Sequence, residues 1–182
     1  PRGSLDRWFE RPAQRLPPEI CACHPDGIYN LGVAHGVPGI IGLLGSACAA
    51  GVAVAQARPL LDGAVRWLLA QPQGDGCTVG FPSETAAGMT PVPARLAWCY
   101  GDPGIAATLL AVARAVGEPG WEAAALRIAR RAAQRPPAQA GVNDAGLCHG
   151  AAGLGHLFNR MFQATGDPVL GEAARYWFAQ TL

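Results

Sequence analysis

Apolar residues recur at helical spacing along much of the chain, and no segment of four or more residues alternates as a half-buried strand would. Residues 59–71 and 121–134 each carry an apolar stripe opposite charged positions. A third helix is expected from residue 168 towards the end of the chain. Its start is indicated by Asp167, a good capping residue, followed by Pro168, which fits the first helical position. The pattern therefore predicts an all-α protein.

Three glycine-containing segments resemble one another. Each reads His or Tyr, Gly, two variable residues, Gly, then Ile or Leu, and continues with small residues. The segments begin at His35, Tyr100 and His149, which are 65 and 49 residues apart. Such self-similarity predicts repeated helical hairpins, each with a small-residue inner helix and an amphipathic outer helix. We expect an α/α toroid or solenoid with about three to three and a half hairpins present.

If all three glycine turns precede inner helices, they meet at one end of this architecture. Residues that are distant in sequence then come close together. Cys99 and Tyr100 would thus lie beside Cys148 and His149, with His35 nearby.

Two thiolates and one imidazole form a donor set that zinc accepts while keeping a fourth position open. We therefore predict that Cys99, Cys148 and His149 bind a catalytic Zn²⁺. A structural zinc site and a pair of buried thiols are the alternatives. The helix starts that follow these residues are expected to lower the pKa of both thiols.

Other candidate residues carry weaker signals. The segment Cys21–His24 could bind a second metal, but its alternate positions point to opposite sides of an extended chain. Cys48 lies among small apolar residues and is expected to be buried, whereas Cys77 lies in a glycine-rich loop. Asp102 is expected to cap the helix that follows it. His156 is expected to be structural or to lie behind the metal ligands.

Composition argues against a disordered, a nucleic-acid-binding and a membrane-spanning protein. The 182 residues suit one domain, and 50% hydrophobic with 15% charged residues argues against disorder. A net charge of +1 gives no attraction to nucleic acid. No apolar run is long enough to span a bilayer and no signal peptide is visible, so a cytoplasmic location is expected. Residues 1–4 resemble an expression-tag remnant, which leaves residues 5–182 as the domain.

Three blocks carry a resemblance to a known family. Asn30–Gly39, Arg95–Gly104 and Gly146–Gly153 are similar to the signature blocks of the lanthionine synthetase C (LanC) family of lanthipeptide cyclases, in the family's order. The resemblance covers the chain from about Tyr29 to Phe158. It implies an α/α toroid with a central zinc.

The resemblance also implies an activity. A cysteine thiol of a precursor peptide adds to dehydroalanine or dehydrobutyrine, which a separate dehydratase activity has made, and a thioether ring forms. On this resemblance Cys99, Cys148 and His149 match the zinc ligands. His35 matches a histidine proposed for proton transfer, and Arg95 and Tyr100 match polar residues beside the metal. The alternatives are a packed histidine for His35, a salt bridge or loop contact for Arg95, and a core position for Tyr100.

The implied partners are the dehydrated precursor peptide and a dehydratase or other biosynthetic enzyme, whose complex could hold the chain at a membrane. Complete family members are substantially longer, and an aspartate of their N-terminal half has no match here. An open part of a toroid would expose apolar faces and favour self-association.

Two other functions remain open. One is a LanC-like module that binds zinc and a thiol, in a peptide or in glutathione, without turnover. The other is a different zinc-dependent thiol alkyltransferase, such as a protein prenyltransferase. It is less favoured because a second cysteine stands here where those enzymes use a carboxylate.

Overall fold

The structure is a computed structural model that describes residues 17–24, 27–71, 73 and 79–181. The expectations for residues 1–4, for Cys77 and for the Cys21 side chain lie outside the described residues. Two short strands, β1 (Tyr29–Asn30) and β2 (Glu84–Thr85), pair in antiparallel orientation. The described α-helices are α1 (Pro18–Cys23), α2 (Val37–Ala49), α3 (Val54–Leu69), α4 (Asp102–Val116), α5 (Pro119–Gln134), α6 (Ala151–Thr165) and α7 (Pro168–Ala179).

Six of these helices form three consecutive hairpins. Helices α2 and α3, α4 and α5, and α6 and α7 pack in pairs, and the first helix of each pair belongs to an inner row. Within that row α4 contacts both α2 and α6, while α5 contacts α7 in the outer row. The predicted succession of an inner small-residue helix and an outer amphipathic helix is confirmed.

Small residues let the inner helices approach closely. A Cβ added at Gly45 on α2 would lie 2.5 Å from a methyl group of Val112 on α4, and one at Gly42 would lie 3.3 Å from Thr108. The third hairpin closes in the same way, since Gly155 on α6 faces the ring of Phe178 on α7. Glycines on the inner helices therefore set the distances between neighbouring helices.

The core lies between the inner and outer rows and continues under the loop before α4. Its largest fully buried side chains include Phe81 and Leu96 from that loop and Phe158 from α6. Within the described residues, every helix is too short or too polar to cross a bilayer.

Two predicted helix starts need adjustment, and a third is confirmed. Helix α3 begins at Val54, ahead of the predicted Pro59, which lies inside it. Pro59 has no amide hydrogen, so the helix lacks the hydrogen bond that residue 59 would donate to the Ala55 carbonyl. Helix α5 begins two residues before the predicted start at Trp121. The Asp167 side chain accepts a hydrogen bond from the Val169 amide, as expected for a cap.

The expectation that Asp102 caps α4 is wrong. Gly101 holds the cap position, and the Asp102 carboxylate is completely buried. It accepts a hydrogen bond from the Phe81 amide at 2.9 Å and pairs with Arg131 at 2.9 Å and Arg135 at 3.7 Å. A buried carboxylate needs such partners, so Asp102 joins α4, α5 and the preceding loop instead of capping its own helix.

The close contact between α2 and α4 can be tested by adding one methyl group. Val112 is β-branched and therefore stiff, so we expect Gly45→Ala to lower the free energy of unfolding by about 1–3 kcal/mol through overpacking. Gly63→Ala is the matched control, because a Cβ at that mid-helix position meets nothing within 4 Å. The control should be neutral or stabilising by up to about 1 kcal/mol. Denaturant unfolding measures both, and equal stabilisation by the two substitutions would contradict the packing account.

Candidate metal centre

Each inner helix is preceded by a loop that folds back onto the helix's first turn. Both glycines of every Gly-x-x-Gly segment face the carbonyl group of the residue six positions earlier, with an added Cβ only 2.0–2.6 Å from that carbonyl oxygen. A side chain cannot occupy such a position, so glycine is required there. The facing residues are Gly36 with Asn30, Gly39 with Val33, Gly101 with Arg95, Gly104 with Trp98, Gly150 with Asp144 and Gly153 with Leu147.

Backbone hydrogen bonds hold the three loops side by side. The Trp98 amide donates to the Cys148 carbonyl at 3.0 Å, which joins the loops before α4 and α6. The Ala34 amide donates to the Cys99 carbonyl at 3.4 Å, which joins the loops before α2 and α4. The two cysteine-containing segments are therefore adjacent, although Cys99 and Cys148 are 49 positions apart in the sequence.

This arrangement brings the three predicted metal ligands together. The two thiol sulfurs of Cys99 and Cys148 and a ring nitrogen of His149 all lie within 4.8 Å of one another. Ligand atoms around a tetrahedral zinc lie about 3.3–3.8 Å apart, given zinc bond lengths of about 2.0–2.3 Å. Small side-chain movements would therefore let the three groups share one ion, and their chemistry is the one that zinc prefers.

The expectation of two acidified thiols is wrong for Cys99. Burial raises the pKa of the Cys99 thiol, and the neighbouring Cys148 sulfur raises this pKa further through a hydrogen bond and charge repulsion. The positive charge of Arg95 acts in the opposite direction. The effects that raise this pKa prevail because Cys99 is half-buried beside a second sulfur.

The other three predicted site residues lie in the loops before α2 and α4. Tyr100 is half-buried, and its hydroxyl accepts a hydrogen bond from the side-chain amide of Asn30 at 3.1 Å. Arg95 is exposed, and its charge acts on Cys99. His35 is exposed in the turn that ends at Gly36. The structure thus brings all six residues to the loops at one end of the hairpins.

The sequence pattern of the lanthionine synthetase C-like protein family matches residues 13–178. The chain belongs to this family. No curated protein matches the sequence. A solved structure of a nisin cyclase has the same fold, with a TM-score of 0.78 and 20% sequence identity over 93% of the present chain. That match confirms the predicted fold, a part of an α/α toroid, and it spans 43% of the nisin cyclase chain.

Sequence reasoning missed two residues that contact the predicted site of this LanC-like chain. Asn30 holds the Tyr100 hydroxyl, and Asp144 lies with its Oδ2 atom 3.4 Å from Nε2 of His149. Both side chains also accept a hydrogen bond from the amide two residues later, that of Gly32 and that of Gly146. The sequence signal was an Asn or Asp two residues before a glycine, which is typical of such turns.

The raised pKa of Cys99 predicts how zinc binding depends on pH. The thiol keeps its proton at neutral pH and must release it to bind zinc. Zinc affinity should therefore rise about tenfold per pH unit for each proton released, and level off above the pKa of Cys99. Competition titrations with a chelating dye at several pH values measure this dependence.

Because the Arg95 charge lowers the pKa of Cys99, substitutions of Arg95 give a control for the same titration. Arg95→Gln should move the rise in affinity to higher pH, because it removes a charge that favours the Cys99 thiolate. Arg95→Lys should leave the curve in place. A zinc affinity that does not change between about pH 6 and 8 would contradict the assignment of Cys99 as a half-buried ligand that loses its proton when zinc binds.

Proposed function

We propose that this chain carries the zinc centre of a lanthipeptide cyclase and forms lanthionine or methyllanthionine rings. One observation supports the proposal above all others. In a LanC-like chain, Cys99 from one repeat converges with Cys148 and His149 from the next, with ligand atoms within 4.8 Å of one another. A set of three ligands on an accessible surface leaves room for a substrate thiol.

Zinc bound to Cys99, Cys148 and His149 would supply the lowered pKa that a substrate cysteine thiol needs to react at neutral pH. The protein residues have separate tasks in this proposal. Cys148 is exposed and nearly half of the His149 side-chain surface is exposed, so a peptide can reach this side of the centre. Cys99 would hold the ion through a thiol that is half-buried.

The reaction adds the substrate S–H across the double bond of a dehydrated residue. The sulfur forms a bond to the β-carbon, the thiol proton leaves, and the electron pair of the double bond becomes an enolate. A proton then reaches the α-carbon, so the product has the same mass as the substrate. We assign this last proton to His35, because imidazole is the side chain that most often transfers protons in enzymes and His35 is exposed in the turn before α2.

Arg95 and Tyr100 are proposed to bind the enolate oxygen or the adjacent peptide carbonyl. The Arg95 guanidinium is exposed and close enough to the centre for its charge to act on Cys99. The Tyr100 hydroxyl accepts from Asn30, so its own hydrogen is directed away from that amide and is available to a substrate oxygen. Both groups would stabilise charge that develops only during the reaction.

The proposed substrate is a dehydrated precursor peptide in the cytoplasm, and a dehydratase is the proposed source of it. Exposed apolar side chains near the loops, including Trp98 and Leu147, offer contacts for apolar residues of that peptide. The same surfaces could take part in self-association or in contact with a further part of a toroid. Nucleic acid is not a proposed ligand.

A zinc- and thiol-binding module without turnover is the second candidate function. The accessible cysteine and histidine ligands favour it as much as they favour the enzyme, because binding a thiol needs only the metal. Another thiol alkyltransferase is less favoured, since no carboxylate belongs to the described ligand group. The two main candidates differ in whether the bound thiol is consumed.

A peptide that contains one cysteine and one dehydroalanine separates them. With zinc-loaded protein, we expect the peptide to lose its reactivity towards a thiol-alkylating reagent while its mass stays unchanged. His35→Gln should slow this loss by about 100-fold or more while the zinc content stays the same. Mass spectrometry after alkylation measures the remaining free thiol over time.

Cys48→Ala is the control for nonspecific effects of substitution. Cys48 lies near the far end of α2, about 16 Å along the helix from the turn that carries His35. This variant should cyclise the peptide at the unsubstituted rate. If zinc-loaded protein binds the peptide but leaves all of its thiol free, the binding module is correct and the cyclase proposal fails for this chain.

A further inference from the structure

The Asp144 carboxylate lies at the metal centre and belongs to no function described above. Its Oδ2 atom is 3.4 Å from Nε2 of His149, and nearly half of each side chain is exposed. The carboxylate is not among the atoms that converge within 4.8 Å to form the ligand group. Asp144 therefore contacts the proposed metal centre through the imidazole of His149.

The second oxygen of Asp144 has a different partner. Oδ1 accepts the Gly146 amide at 2.6 Å, and the Asp144 backbone carbonyl accepts the Ala151 amide at 2.9 Å. The Gly150 amide in turn donates to the Gly146 carbonyl at 3.0 Å. These bonds close the segment 144–151 into a compact loop, and they hold the Asp144 carboxylate against the backbone of the loop that carries His149.

A neutral imidazole has one nitrogen that carries a hydrogen and one that carries a lone pair. Only the nitrogen with the lone pair can bind a metal. A carboxylate is an acceptor, so a ring nitrogen that faces it is favoured as the one with the hydrogen. In His149 that nitrogen is Nε2, which leaves Nδ1 as the atom for the metal.

We propose that Asp144 is a positioning residue for the zinc centre: its carboxylate holds the His149 ring with Nε2–H towards Oδ2 and presents Nδ1 to the ion. Partners of this kind raise the metal affinity of a histidine ligand by about 10–100-fold. The inference rests on the proposed zinc site. In this proposal the Asp144 side chain has two tasks: it closes the loop, and it selects Nδ1 of His149 as the atom that binds the metal.

Asp144→Asn separates these two tasks. The amide oxygen of asparagine can still accept the Gly146 amide, so the loop should persist. The NH₂ group would then face Nε2 as a donor, which favours the hydrogen on Nδ1 and opposes metal binding there. Asp144→Ala removes both tasks. Glu172→Gln is the charge-matched control, because Glu172 is an exposed residue on α7.

Zinc affinity of all four proteins is measured by competition with a chelating dye, using zinc ion alone as the probe. We expect Asp144→Asn to bind zinc about 10–100-fold more weakly than the unsubstituted protein, and Glu172→Gln to bind it equally well. The unfolding midpoint of the zinc-free Asp144→Asn protein should match that of the unsubstituted protein. If Asp144→Asn binds zinc normally while Asp144→Ala does not, Asp144 only shapes the loop and the proposal is overturned.

Nitrogen-15 NMR of the zinc-loaded, unsubstituted protein gives a readout that needs no variant. It should show His149 with zinc on Nδ1 and a hydrogen on Nε2, and zinc on Nε2 would overturn the proposal. If the unsubstituted protein binds no zinc in the titration, the metal site fails and this inference fails with it. Normal zinc binding with an unaffected Asp144→Asn variant refutes the positioning role alone.

Discussion

The close contact between each Gly-x-x-Gly segment and the carbonyl groups six residues earlier is the constraint on which the rest of the structure depends. Added Cβ atoms would lie only 2.0–2.6 Å from those oxygens, so each loop can fold onto its helix only because the side chains are absent. The same contact recurs in all three hairpins. It gives the loops one shape, and neighbouring inner helices then bring the loops together at one end of the molecule.

The candidate site follows from that repetition. Equivalent positions in the three loops carry different residues: Asn30, Arg95 and Asp144 at the first carbonyl, and His35, Tyr100 and His149 before the first glycine. One structural unit thus supplies the proposed metal ligands, the proposed proton donor and groups that contact other side chains of the site. The loops differ in chemistry while their backbones stay alike, which is how a repeat fold can build one asymmetric centre.

The sequence was sufficient for the features that depend on local pattern. The repeat around His35, Tyr100 and His149 predicted the hairpins and the convergence of Cys99 with Cys148. The sequence was insufficient where long-range packing determines the role or the pKa of a side chain. Asp102 looked like a helix cap, but its burial against Arg131 and Arg135 depends on a loop and a helix that periodicity does not place. The raised pKa of Cys99 likewise comes first from burial, which the local sequence does not determine.

The central claim is that Cys99, Cys148 and His149 hold one zinc ion between them, and the zinc content of purified variants tests it most directly. The unsubstituted protein and Cys48→Ala should each retain about one zinc per chain after dialysis, because Cys48 lies on α2 away from the loops. Cys148→Ala should lose most of its zinc, since two remaining ligands bind the ion weakly. Stoichiometric zinc in Cys148→Ala would contradict the account, because the ion would then be held by other residues.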